Sequence, residues 1–394
     1  LNSLGKGALT AKTLFVSFCA YLLRHMRIVE FDSESFMPKS PASAASPAPR
    51  LFLLVVILLT SILAGGCGLF GTRKKVQVPP LLTPLVEANK PQLISEVNRL
   101  ATVRSIHGKV DIIFEDTSFA EAGISEKYKR ADGTVTIQRP GQVYLVIQVP
   151  FIATDIAQMT SNGETFRVAV LQGDEKYKRF VKGTNNAVYD KLDMDGKAPE
   201  TDKSKKRTMT GQETVTALSN LRPQHLTEAL MVSAIADPAQ SGFVYVQSEF
   251  FQEEPDNRPI AKKGTRIVRG YYLLEEISQP ASGEARLSRR FWFDRVNGIR
   301  LARLQTFDER GLLITDVSYW DDKPFGETGQ VQLPARIEIT RPHDKYKLSI
   351  SYQAPASTEI NREYKPEAFI LENRWQLPEV DLDARKLNKT TTSP

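Results

Sequence analysis

Cysteine is almost missing from this chain: Cys19 and Cys67 are the two in 394 residues. So few thiols exclude a disulfide framework and a thiolate metal site in whatever folds after Cys67. Histidine is scarce too. His107, His225 and His343 stand singly, without the spacing that places two imidazoles on one metal ion. No G-x-S-x-G elbow and no phosphate-binding G-x-x-x-x-G-K-[ST] loop occurs. No apolar run reaches the roughly 20 residues needed to span a bilayer as a helix. The formal charge of +6 is modest, and setting aside residues 1–66 removes six basic and three acidic residues, leaving +3. Nucleic acid, which needs a clustered basic footprint, is therefore not an expected partner. Carboxylates are plentiful enough to be paired for hydrolysis, but their spacing in sequence does not bring any two together.

What is present begins with an apolar stretch of about 14 residues, 51–64, interrupted by Thr60 and Ser61 alone. Arg50 precedes it and Gly65-Gly66-Cys67-Gly68 follows. That length belongs to a signal-peptide core rather than a membrane span. The small residues before Cys67 leave a backbone that a peptidase can bind. Leu63-Ala64-Gly65-Gly66-Cys67 resembles the bacterial lipobox, with leucine four rather than three residues before the cysteine. Cys67 is thus the expected lipidation site, carrying a diacylglyceryl or acyl lipid, and no other cofactor is expected. An uncleaved anchor is the alternative. Met37 opens a positive, acid-free lead into the apolar run, so residues 1–36 are expected to be an extension from a mis-set start, with 37–66 the signal peptide. Residues 67–90, with Arg73-Lys74-Lys75, read as a tether, where cations gain from anionic headgroups or simply stay solvated.

Two motifs are set aside. Gly66 to Gly71 spells G-x-G-x-x-G, but no helix-opening pattern follows to present free N–H groups. Asp193-Met194-Asp195-Gly196 lacks the spaced oxygens of a calcium loop, so 183–211 is read as a polar, flexible loop.

Downstream, periodicity carries the argument. Leu93, Ile94, Val97 and Leu100 recur at helical spacing after Pro91. From Ser105 the period becomes two, and further strands are expected over 134–139, 143–149, 154–160, 165–170 and 176–181. Pro140-Gly141 suits a type II turn and Asn162-Gly163 a type I′ hairpin. Helices are expected over 214–221 and 224–232, and strands resume over 266–277, 287–294, 299–307, 312–319, 335–340 and 345–352. Residues 366–377, with Phe369, Leu371 and Trp375, are expected to pack on the sheet edge, and 378–394 to form a polar tail. The fold class is therefore mainly β: one curved antiparallel sheet of about 11–12 strands over residues 91–377, with helices covering its concave face.

The helix and first strand at 93–114, the Gln138-Arg139-Pro140-Gly141 turn, the strand at 143–150 and Ser161-Asn162-Gly163-Glu164-Thr165-Phe166 together resemble the LolA/LolB lipoprotein-localisation family. The resemblance covers about 100 residues well and the rest in element order alone. It implies an incomplete barrel with a helical lid, holding acyl chains in an apolar cavity, for which Val135, Ile137, Val143, Leu145, Ile147 and Phe166 are lining candidates. It assigns Arg139 to a cavity-rim latch on the lid; the plain alternative is a strand-end arginine in water. It assigns Phe151 and Ile152 to an apolar loop touching membrane or acyl chain, against packing beneath the first helix.

The expected function is that of a lipid-anchored bacterial envelope protein, not an enzyme, that binds lipid or lipoprotein acyl chains in lipoprotein sorting or insertion. Its expected partners are the membrane, those acyl chains and other envelope proteins. Gly68 after Cys67 implies, by the family's sorting rule, the outer membrane facing the periplasm. The alternatives are an envelope sensor or scaffold and an envelope hydrolase. A deep apolar cavity would favour lipid, a filled core a scaffold, and a polar cleft with converging carboxylates an enzyme.

Overall fold

In a computed structural model of the chain, the described residues are 78–117, 126–127, 130–173, 175, 178–185, 187, 189, 221–237, 242–258, 260–279, 283–296 and 298–385. Cys67, the signal segment, the Asp193 loop, residues 214–220 and the end of the tail lie outside them.

The first helix, α1 (Lys90–Ala101), starts where Pro91 predicts, with the proline in its first turn and a capping box before it. The Asn89 side chain accepts the Gln92 N–H at 3.1 Å, and Gln92 Oε1 accepts the Asn89 N–H at 2.8 Å, so two otherwise orphaned donors are satisfied. Leu93, Val97 and Leu100 are buried along one stripe.

A meander follows: β1 (Ser105–Asp116), β2 (Glu126–Lys127), β3 (Ala131–Gln138), β4 (Gln142–Gln148), β5 (Asp155–Asn162), β6 (Thr165–Val170) and β7 (Arg179–Thr184). The turn chemistry differs from expectation at both predicted turns. Pro140 follows a cis peptide bond and Gly141 is not left-handed, so the type II geometry is absent. At the next hairpin Gly163 has φ +102° but Asn162 is not left-handed. There the Asn162 side chain accepts the N–H groups of Glu164 and Thr165 at 3.0 and 2.8 Å, a side-chain turn in place of type I′.

Helix α2 (Pro223–Leu230) takes Pro223 into its first turn, which moves the break one residue back from the expected start. After it come β8 (Phe243–Pro255), β9 (Arg266–Ser278), β10 (Arg286–Asp294), β11 (Arg300–Phe307), β12 (Leu313–Phe325), β13 (Val331–Arg341), β14 (Tyr346–Tyr352), β15 (Glu359–Ile360) and β16 (Glu379–Asp381).

These strands make one sheet in the order β16-β7-β6-β5-β4-β3-β1-β14-β13-β12-β11-β10-β9-β8, with β2 and β15 paired to β1. All pairs are antiparallel except β16 with β7. Four strands lie beyond the expected 11–12: the short β2, β15 and β16, and β8, which pairs with β9 along its whole length. As an edge strand with most side chains exposed, β8 has no alternation of buried residues for a sequence pattern to reveal.

Curvature follows from helix packing. Helix α2 packs against β4 and β5 on one side and β13 on the other. In the sheet β5 and β13 are five steps apart, about 24 Å if flat at roughly 4.8 Å per step, whereas a helix is about 10 Å across. The sheet must bend around the helix. The concave side carries one continuous core, to which α1, α2 and the inward residues of β1, β3–β7 and β9–β14 contribute.

Segments near both ends of the described residues are drawn into the sheet. The expected tether stops short of 90, because from Pro80 onward the backbone is bound: Leu82 N donates to Val268 O and Val268 N to Pro80 O, each at 2.9 Å. Arg295, buried, fixes this strap through Glu87 at 2.6 Å, Glu249 at 2.9 Å and the Val86 carbonyl at 3.2 Å, while stacking on Tyr272 at 4.2 Å. At the other end, Leu371 packs with Ala169 and Phe180 on the convex side, and part of the predicted polar tail forms β16. Replacing Arg295 with Met is expected to lower unfolding free energy by about 2 kcal/mol, since charged hydrogen bonds contribute roughly 1.5–3 kcal/mol, and to make residues 80–89 susceptible to protease; urea titration and limited proteolysis measure both.

Candidate functional site

Arg139 closes β3, and its guanidinium reaches back under both helices. Nε donates to Val103 O at 2.9 Å, just past the end of α1. Nη2 donates to Val232 O at 2.8 Å and Nη1 to Met231 O at 3.3 Å, both at the end of α2. The last carbonyls of a helix lack intrahelical partners and carry the negative end of its dipole, so a cation is well placed there. Burial pushes the guanidinium below its ordinary value. It nevertheless remains a cation, as an arginine does in proteins.

Two further contacts tie the same elements. Asn98 on α1 exchanges hydrogen bonds with the backbone of Ile235 at 2.8 and 3.3 Å. The Tyr319 hydroxyl donates to Ala229 O at 3.0 Å.

Beneath this latch lies a small apolar cavity of about 20 Å³. Leu100 and Val103 line it from α1, Leu230 and Val232 from α2, and Ile106, Ile337 and Tyr352 from the sheet. A volume of this size holds about one water molecule, far below the roughly 300 Å³ at which ligand pockets begin. The structure thus shows the core closed. The Tyr352 hydroxyl beside the cavity is buried without a hydrogen-bond partner.

The six lining candidates from the sequence are all buried on the helix-covered face: Val135 and Ile137 on β3, Val143, Leu145 and Ile147 on β4, and Phe166 on β6. None lines the 20 Å³ cavity, which sits further along the sheet near β1, β13 and β14. They are packed side by side as core.

Phe151 and Ile152 sit in the β4–β5 connection, which is closed by Val149 N donating to Thr154 O at 2.9 Å. Their side chains are 103% and 71% exposed, so they do not pack beneath α1. Phe151 and Ala153 have φ of +69° and +53°, the left-handed region that side chains with a Cβ rarely occupy. An exposed aromatic on a strained backbone is unfavourable in water on both counts.

Sequence reasoning missed the docking of the N-terminal end of α2. His225 Nδ1 lies 2.6 Å from the Tyr346 hydroxyl. Burial first, then the charges of Arg341 and Arg222, hold its imidazole well below the usual histidine range. Arg222 itself is stacked over the rings of Phe166 and Tyr189 at 5.1 and 4.9 Å. A single histidine on an amphipathic helix gives no warning of this in sequence.

No protein-family model matches the chain, and no curated protein matches it in sequence. Similar solved structures exist. A LolA superfamily protein from Nitrosomonas europaea is 11% identical at TM-score 0.36, over 72% of this chain and 99% of that one. A putative outer membrane lipoprotein-sorting protein domain from Vibrio parahaemolyticus is 9% identical at TM-score 0.34, over 71% and 94%. A DUF1329 family protein from Desulfovibrio piger is 10% identical at TM-score 0.35, over 71% of this chain and 95% of that one. At these TM-scores the likeness concerns the general course of the chain, and the functional reading rests on the geometry above.

His225 makes α2 docking pH-sensitive. The unfolded chain protonates this group near 6.5, the fold only well below it, so acidification loads protons onto the unfolded state and stability falls as pH drops from about 6.5. The slope should approach about 1.4 kcal/mol per pH unit. Comparing denaturant midpoints at pH 7.5 and 5.5 for the native chain and His225→Gln measures it, and the variant should lack that component.

Proposed function

We propose that this chain is a lipid-anchored protein of the bacterial envelope that receives acyl chains of lipids or lipoproteins between its helices and its sheet. The observation that carries the reading is Arg139: one side chain holds the ends of both helices over a small cavity they enclose with the sheet. Such a contact is a two-state element. Breaking its three hydrogen bonds, together with those of Asn98 and Tyr319, frees both helix ends, and an apolar chain entering beneath them gains about 0.8 kcal/mol per buried CH₂. The Tyr352 hydroxyl supplies one hydrogen bond to the ester or amide that joins the acyl chain to its carrier. Phe151 and Ile152, projecting from the other end of the β3–β5 meander, are suited to enter a bilayer or meet an acyl chain, each contributing roughly 1.5 to 3 kcal/mol on burial.

In this reading Cys67 carries the diacylglyceryl lipid, and two or three chains on it anchor stably where one would be marginal. The protein then works at a fixed membrane, the outer membrane facing the periplasm, as an acceptor or inserter. It takes no catalytic part in the chemistry of its cargo. A second reading, a sensor or scaffold that binds a protein partner with the same fold, is favoured by the closed core, since a filled interior is what a scaffold needs.

Titration with a palmitoylated peptide separates the two. Arg139→Leu leaves three helix-end carbonyls without their donor, so it is expected to bind the peptide about tenfold more tightly than the native chain, because less latch must be broken. Undetectable binding to both folded proteins would favour the scaffold. Phe151→Ser with Ile152→Ser should leave peptide binding intact but slow delivery to vesicles by about tenfold or more; unchanged delivery by the folded double variant would sink the membrane-contact role.

A further inference from the structure

A larger concavity lies on the convex side of the sheet among the described residues. On β9, Tyr272 and Leu274 point into the core, whereas Arg269 and Tyr271 alternate outward. There a pocket of about 460 Å³ is lined from β8 through β13 and from the β8–β9 loop. At its floor Trp292 meets Phe250 and Tyr271 edge-on at 5.1 and 5.6 Å, and the Arg303 guanidinium lies 5.1 Å over its indole. At its wall Trp320 and Arg336 are paired directly across β12 and β13, with the guanidinium stacked 4.8 Å over the ring.

The backbone is altered at this wall. Asp321 has φ +59° within β12. In a regular strand neighbours face opposite sides, yet Trp320 and Asp321 both line the pocket. A left-handed aspartate in mid-strand is unfavourable and persists where the surroundings demand it.

Most charges in the pocket already have partners. Arg269 is held by Glu254 and Asp294, Arg303 by Asp316, and Arg258 by Asp256. Arg336 is held more loosely: among the described residues its guanidinium makes no hydrogen bond, and its ion pair with Asp321 spans 3.6 Å. The side chains of Gln252, Asn257, Ser318 and Trp320 also line the pocket with no hydrogen bond among the described residues. The pocket thus offers unsatisfied N–H donors beside the Asp321 carboxylate. A planar guanidinium matches a phosphate or carboxylate in a bidentate fashion. Aromatic rings with neutral amides and a hydroxyl around them match a hydroxylated ring, and the volume lies within the range of small-molecule sites and well above that of a bare anion.

We infer that this pocket binds an acidic saccharide, a hydroxylated ring bearing a phosphate or carboxylate, with the acid group on Arg336 and the ring against Trp320. The site does not depend on the acyl-chain reading: it shares none of the Arg139 hydrogen bonds, although Tyr319 lines both this pocket and the small cavity.

Calorimetric titration of the full chain with glucose 1-phosphate and glucuronic acid, beside glucose and inorganic phosphate, tests it. Binding of at least one acidic sugar is expected, with glucose and inorganic phosphate each about tenfold weaker or worse. Arg336→Gln and Trp320→Ala should each weaken the acidic sugar by about tenfold, whereas Arg139→Lys should leave it unchanged. No binding of either acidic sugar would overturn the inference. So would inorganic phosphate binding as well as the sugar phosphate, or undiminished binding by a folded Arg336→Gln; if that variant does not fold, Trp320→Phe, which keeps an aromatic but removes the indole N–H, takes its place and must bind more weakly.

Discussion

Two helices more than a hundred residues apart end on one guanidinium, and the closed state of this protein depends on that contact. Arg139 takes the carbonyls of Val103, Met231 and Val232 at the point where α1 and α2 converge on the sheet. Arg139 is half-buried, and the helix-end dipoles replace part of the water it loses. The three carbonyls would lose this donor without it. Cation and helix ends therefore support each other, with the Asn98 and Tyr319 hydrogen bonds beside them.

The rest of the inner face is arranged around this closure. Because α2 reaches strands five steps apart, the sheet curls until its halves face each other across the helix. The β3 and β4 residues beneath form solid packing, while the remaining free volume collects under the latch. The convex face is divided differently. Over β6 and β7 the chain covers itself with Leu371 and its neighbours, and Arg167 donates to the Leu371 carbonyl at 2.9 Å. Over β9 to β13 it leaves arginines and aromatics around an open pocket. One sheet thus offers an apolar interior on one side and a polar recognition surface on the other.

Legibility in the sequence followed the physics of each element. The strands β4 and β14 alternate clearly because one face is dry, so they could be read from Val143, Leu145 and Ile147 and from Leu348 and Ile350, with Val135 and Ile137 marking β3. The edge strand β8 could not, since Val244, Val246, Phe250 and Phe251 are all substantially exposed and no period emerges. Asn89 and Gln92 did spell a capping box, a local signal overlooked in favour of Pro91. The strap from Pro80 was invisible because its hydrogen bonds are between backbones nearly 190 residues apart. Arg139 was singled out by resemblance, whereas its three acceptors depend on where both helices end. The convex pocket draws single residues from six strands, and Asp321 gives no sign in sequence of its left-handed backbone. Local pattern reports local burial; a site assembled across a sheet leaves no such trace.

The central claim is that α2 is a lid released by an acyl chain. Amide hydrogen exchange of residues 226–230, followed with and without saturating palmitoylated peptide, tests it most directly. The account predicts that exchange in α2 quickens when the peptide is present while β3 to β6 stay protected. Unchanged α2 protection at saturation, or slower exchange throughout the sheet and helix alike, would contradict it.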